Sequence, residues 1–110
     1  MNHINLQRKE AQIHQLVADI VTNDLTNVNV IDPVVMDVKL SADLSYLKVY
    51  VNLYGNTTKG LQALNNASGY VRKVLSKSLN WRKVPQITFY LDEVSANGLK
   101  IDQILKQIKD

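Results

Sequence analysis

The stretch Asn66-Ala67-Ser68-Gly69-Tyr70-Val71-Arg72-Lys73 constrains the fold more than any other part of the chain. A run with helical spacing precedes it (Leu61, Leu64) and another follows (Val71, Val74, Leu75, Leu79), while small residues occupy the junction. Two helices therefore meet at a tight bend. Ala67 and Gly69 carry almost no side chain, and Gly69 tolerates backbone angles that other residues resist, so a second backbone can approach the junction closely. The bend also opens a helix whose first turns carry Arg72, Lys73 and Lys77. A helix N-terminus reached over small residues and flanked by cations suits a phosphate. An ordinary helix corner with solvated lysines gives the same local pattern, so the rest of the chain has to separate the two.

Before the junction, residues Ile4 to about Asn23 predict an amphipathic helix, because Ile13, Leu16, Val17, Ile20 and Val21 line one face. The polar run Thr26 to Asn29 ends that pattern, and Asp32-Pro33 imposes an extended entry to the next element. From Val34 the period becomes two. Val34, Met36, Val38 and Leu40 alternate with Val35, Asp37 and Lys39; after the turn Ser41-Ala42-Asp43, Leu47, Val49, Val51 and Leu53 alternate with Lys48, Tyr50, Asn52 and Tyr54. This predicts a β-hairpin with one buried face, in which Asp43 bonds backbone amides of the turn. Gly55-Asn56-Thr57-Thr58 is a loop whose threonines cap the following helix.

Past the bend, Val71, Val74, Leu75 and Leu79 fall on one side of the second helix, Lys73 and Lys77 point the other way with Tyr70, and Arg72 sits on the flank. Asn80 to Pro85 ends this helix, with Pro85 as the stop, and Trp81 there is expected to cap the core rather than stack a base. Gln86 to Leu91 alternates again as a third strand, with Ile87, Phe89 and Leu91 facing in. Ile101, Ile104, Leu105 and Ile108 predict a final helix from about residue 97.

Charge is distributed unevenly. No acidic residue lies between Leu44 and Leu91, whereas Lys48, Lys59, Arg72, Lys73, Lys77, Arg82 and Lys83 supply seven cations there; the remainder holds six bases against ten acids. A net charge of +3 thus hides a basic centre between acidic flanks, which favours a polyanionic partner such as nucleic acid. The 110 residues suffice for one domain, 1–110, with one core. There is no cysteine, no P-loop, no convergent acid-base set and no metal-ligand spacing around His3 or His14. No apolar run approaches a membrane span and the first ten residues are too polar for a secretory signal. No catalytic residue, metal or cofactor is therefore expected, and the expected location is the cytoplasm.

The order helix, strand, strand, helix, bend, helix, strand, helix predicts an α+β fold with a three-stranded sheet and helices on one face. It matches the type II KH domain, an RNA-binding module whose Gly-rich loop clamps nucleotide backbones. No G-x-x-G occurs here; Ala67-Ser68-Gly69 stands in its place. That replacement resembles the ribosome-binding factor A family, whose KH-like domain carries an Ala-x-Gly kink at this point. Asp32-Pro33, the hairpin Asp37 to Ser45, Lys48 to Val51, Ala67 to Lys73 and Arg82-Lys83-Val84-Pro85 through Phe89 and Asp92 are similar to the family pattern in its order, over roughly residues 4 to 105. The chain departs from it at Ala42, usually proline, at Leu47, often alanine, in a first helix with fewer arginines, and in nearly lacking the C-terminal extension of longer members.

The resemblance implies a non-enzymatic RNA-binding assembly factor that associates with the free small ribosomal subunit or its precursor. It further implies assistance in late maturation and 5′-end processing of small-subunit ribosomal RNA, and a role in cold adaptation. Expected partners are that subunit, its RNA and other assembly factors, with the chain acting as a monomer away from membranes. The candidate RNA-binding residues are Ser68, Gly69, Arg72, Lys73, Lys77, Arg82 and Lys83, with Ala67, Ser68 and Gly69 forming the kink. Two other readings remain open. One is a general single-strand binder stacking bases on Tyr46, Tyr50, Tyr54 and Tyr90, all on the outward phase of their strands, although β-propensity alone accounts for such tyrosines. The other is a protein-interaction module using a strand edge or the terminal helix.

Overall fold

The apolar spacing of the first helix is realised as α1 (His3–Asp19), on which Ile13 and Val17 are fully buried. The computed structural model describes residues 3–25 and 30–92; the polar run Thr26 to Asn29 and the final helix expected from about residue 97 lie outside them. The last turn of the first helix widens into a π-turn (Ile20–Asp24), closed by the Leu25 amide donating to the Ile20 carbonyl at 3.2 Å. Next come β1 (Ile31–Leu40), β2 (Tyr46–Tyr54), α2 (Thr57–Asn66), α3 (Ser68–Ser78) and β3 (Gln86–Leu91). The sheet order is β1-β2-β3; β1 and β2 form the antiparallel hairpin, and β3 returns parallel to β2 after α2 and α3. This is the expected α+β, KH-like order.

Inward residues of the three strands (Val38, Leu40, Leu47, Val49, Val51, Ile87, Phe89) meet Ile13, Val17, Leu64, Val71 and Leu75 of the helices in one core that, among the described residues, buries no polar or charged side chain. The other face of the sheet carries Tyr46, Lys48, Thr88 and Tyr90 outward. On β2 and β3 the alternation is as predicted.

On β1 it is not. Val34 and Met36 were expected inside, yet they are 52% and 41% exposed, and Val35 is the residue turned inward. The reason is an irregularity between Val35 and Asp37, where the pairing passes from Val35↔Val51 to Asp37↔Tyr50. One extra residue on the bulged strand inverts the phase behind it. A second shift separates Ile31 from Val34, and Asp32 within it takes φ +46°. The strand is therefore entered through a left-handed kink rather than the extended backbone normally seen before proline.

Two further expectations change. Asn56, not a threonine, caps α2, its Oδ1 accepting from the Lys59 amide at 3.1 Å; an amide oxygen serves this purpose as well as a hydroxyl. The second helix of the pair stops at Ser78, where Leu79 turns extended (φ −98°, ψ 137°), so Pro85 is not its stop and is instead buried. Gly55 meets a specific demand. It has φ +78°, and a Cβ there would stand 3.3 Å from Ile31 Cδ1.

Both free edges of the sheet are closed by helix side chains. Along β1, the Leu40 amide donates to Glu10 Oε2 at 2.9 Å, and one helical turn on, His14 Nε2 lies 3.4 Å from the Val35 carbonyl. Along β3, Asn65 accepts from the Phe89 amide at 2.8 Å and donates to its carbonyl at 3.1 Å. Glu10 thus has a structural task. Trp81 is half-buried against the core with Lys9 Nζ 4.6 Å from its ring centroid, an arrangement favourable to both groups.

Candidate nucleic-acid interface

The bend is a single residue wide. Ala67 leaves the helical region (φ −91°, ψ 2°), its amide is shared between the Ala63 and Leu64 carbonyls at 3.1 and 3.0 Å, and its own carbonyl accepts from Val71 at 3.0 Å. Having only a methyl group, Ala67 places no acceptor on the amides of the first turn of α3, and that turn contains no acid. The positive end of the helix dipole thus meets no capping side chain from Ala67. Ser68 is half-buried and Gly69 exposed. The conformational freedom expected of Gly69 is not used: it lies in α3 outside the left-handed region. A Cβ at that position would meet nothing within 4 Å. What glycine provides is an open approach.

Burial of Val71 and Leu75 fixes the rotation of α3 about its axis. Helical geometry then puts Lys73 and Lys77 on the solvent side, where both are exposed and neither makes a side-chain hydrogen bond to another described residue. Tyr70, 48% exposed, shares that side. Arg72 is also exposed, but its Nη2 donates to the Val84 carbonyl at 3.0 Å. That bond pins the 79–85 connection to α3 and keeps Arg82 and Lys83 in the neighbourhood of the helix. Lys83 Nζ in turn donates to Ser45 Oγ at 2.6 Å, tying the same connection to the tip of the hairpin. Of the seven predicted binding residues, Gly69, Lys73 and Lys77 are exposed on α3 with Ser68 half-buried at its start; Arg72 and Lys83 also hold the fold; Arg82 is exposed.

At the hairpin tip the Asp43 carboxylate accepts from Ser41 Oγ (2.8 Å), Ser45 N (3.1 Å) and Ser45 Oγ (2.9 Å). These bonds, from Ser41 foremost, and the charge of Lys83 hold its pKa down from the usual 3.8 to about 2. Because the folded value is the lower, the stability it confers is present above about pH 4 and is lost as pH falls towards about 2. Asp43→Asn is therefore expected to melt below the parent protein at neutral pH, with the gap closing on acidification to about pH 2. A gap independent of pH would show that the carboxylate charge is not what the turn uses.

Sequence reasoning missed Asn65, Glu10 and the Val84 carbonyl. Asn65 left one signal, since it sits four residues after Leu61 and next to Leu64, a polar group on the apolar face of α2 that must find a partner there.

The matching family model is that of ribosome-binding factor A, over residues 5–105. A ribosome-binding factor A from Mycoplasmopsis agalactiae is 50% identical over 107 residues, 97% of this chain and 95% of the relative. The chain belongs to the ribosome-binding factor A family. Its relative from Mycoplasmopsis pulmonis is 40% identical, covering 99% of this chain and 97% of its own length. Among solved structures, the crystal structure of ribosome-binding factor A from Thermus thermophilus superposes with a TM-score of 0.75 at 27% identity, over 78% of this chain and 93% of that one. A homology model of the same species' factor, fitted into a cryo-EM map of its 30S complex, matches with a TM-score of 0.66 at 28% identity, over 74% of this chain and 89% of that one. Family membership rests on the length of the match, and the kink Ala67-Ser68-Gly69 lies well inside it.

Proposed function

We propose that this chain is a non-enzymatic, RNA-binding assembly factor that associates with the free small ribosomal subunit or its precursor. It acts late in maturation, at the stage when the 5′ end of the small-subunit RNA is processed, in the cytoplasm, as a monomer, and supports adaptation to cold. The whole chain, 1–110, works as one KH-like module. The observation that carries this reading is the 30S complex of the Thermus thermophilus factor, whose fold this chain shares. In the mechanism proposed, a phosphate backbone crosses the kink over Gly69, amides and the hydroxyl of Ser68 face it, and Arg72, Lys73, Lys77, Arg82 and Lys83 neutralise its charge. Tighter binding to one RNA conformation than to its competitor then shifts the population towards the favoured one. Strand addition to the sheet by a protein partner is disfavoured, because Glu10, His14 and Asn65 already occupy both edges.

Co-sedimentation with separated small subunits, large subunits and joined ribosomes at low and moderate salt tests the reading. Selective, salt-sensitive pelleting with the small subunit is expected, and indifference among the three particles would sink it. Gly69→Ala sharpens the test. With nothing near the new methyl group, alanine is expected to raise stability by about 0.5 kcal/mol, the ordinary helix preference over glycine. Small-subunit affinity is expected to fall in the same variant, because the methyl group stands where the phosphate backbone passes. Equal or better binding by the more stable variant would remove the kink from the site.

A further inference from the structure

The face of the sheet opposite the described helices combines features that the kink does not explain. Lys39 of β1 stands directly opposite Lys48 of β2, and Lys48 is paired on its other side with Thr88. Like charges facing each other across strands destabilise a sheet, and no acid lies in register with either lysine. Tyrosines flank this pair along β2 at the two-residue period, Tyr46 before Lys48 and Tyr50 after it. Tyr50 pairs with Tyr90 of β3, their ring centroids 5.8 Å apart and their planes tilted by 30°. Tyr46 is 60% exposed. Two depressions, of about 680 and 410 Å³, share Lys39 and Tyr50; the smaller, on this face, also reaches Tyr46 and Lys48, and the larger reaches Met36 and Tyr90 and extends to Leu61 of α2. Of the acids bordering the larger one, Asp37 turns an oxygen onto the Val38 amide at 2.9 Å, and Asp92 lies beyond Tyr90 at the far rim.

We infer that this face is a second RNA site, taking a single-stranded segment with bases stacked on Tyr46, Tyr50 and Tyr90 and backbone phosphates between Lys39 and Lys48. Aromatic rings on a sheet accept any base, while cations among them fix the backbone. An anion between the two lysines turns a repulsive pair into an attractive one, and this charge complementarity selects RNA over an apolar protein surface. The site shares the RNA partner of the proposed function but lies on the side of the sheet away from α3. One molecule would then hold two RNA segments at once.

Binding of the full chain to a fluorescent ten-nucleotide single-stranded RNA, followed by anisotropy across a salt series, tests the inference. Tyr50→Leu with Tyr90→Leu keeps most of the apolar area and is expected to lower affinity at least about fivefold with the salt slope unchanged. Lys39→Gln with Lys48→Gln is expected to reduce the slope by about 0.7 for each lysine removed. Both lysines are exposed, so that variant reports on binding even if the tyrosine variant folds poorly, and thermal melts check both. Affinity and slope unchanged in the lysine variant would overturn the inference. So would a sheet variant that alters only the sedimentation coefficient, which would assign the face to a second copy of the chain. Pelleting of the parent protein with small subunits, run in parallel, reads the proposed function separately: kept there but unaffected here, the sheet site alone fails.

Discussion

Asn65→Ala is expected to lower Tm by about 10 °C. Asn65 is the only contact among the described residues that serves both backbone groups of Phe89 at the free edge of β3, accepting from the amide at 2.8 Å and donating to the carbonyl at 3.1 Å. The Phe89 side chain is buried, so its backbone cannot turn to water without disturbing the core. Alanine leaves a donor and an acceptor unpaired in a half-buried position, at a cost of about 2–3 kcal/mol. For a domain near 100 residues, each kcal/mol shifts Tm by about 4–8 °C. Thermal denaturation followed by circular dichroism measures this directly. A shift below about 3 °C would mean that water replaces the amide at the edge, and that α2 is held to β3 by Leu64 and Leu61 alone.

The largest functional effect is expected from Lys73→Gln combined with Lys77→Gln. These side chains are exposed on α3 and hold no other described residue, so their loss should leave stability within about 0.5 kcal/mol of the parent. Small-subunit affinity at moderate salt should fall about tenfold or more, and the dependence of log affinity on log salt should flatten by roughly one for each lysine. Arg72 is the poorer choice for this measurement. Its bond to the Val84 carbonyl means that removing it also frees the 79–85 connection, and lost binding would then have two causes. Unchanged affinity with an unchanged slope in the lysine pair would place the ribosomal contact elsewhere than α3.

What was legible from the chain was whatever depends on neighbours in sequence. The helical phase of Val71, Val74 and Leu75 and the two-residue phase of Leu47, Val49 and Val51 appear in the structure as read. The phase of β1 was misread at Val34 and Met36, because a bulge is decided by pairing with β2 and leaves no trace in a run of alternating apolar residues. The kink was found from its small residues, yet its glycine is used for space and not for φ. The cations of the candidate site were legible as a group. Which of them are also committed to the fold was not, since the partners of Arg72 and Lys83 are backbone and hydroxyl groups 12 and 38 positions away.

The two interruptions of β1 bear on how concentrated solutions of the protein behave. That strand carries an exposed apolar row, Ile31, Val34 and Met36, the kind of segment that templates cross-β stacking when its ladder runs straight. Here the ladder breaks at Ile31/Val34 and again at Val35/Asp37, and a carboxylate from α1 holds the Leu40 amide beyond. No straight run of unpaired amides is long enough for an incoming chain to zip onto. The side chains that make this strand sticky are thus mounted on a backbone whose interruptions work against fibril growth along it.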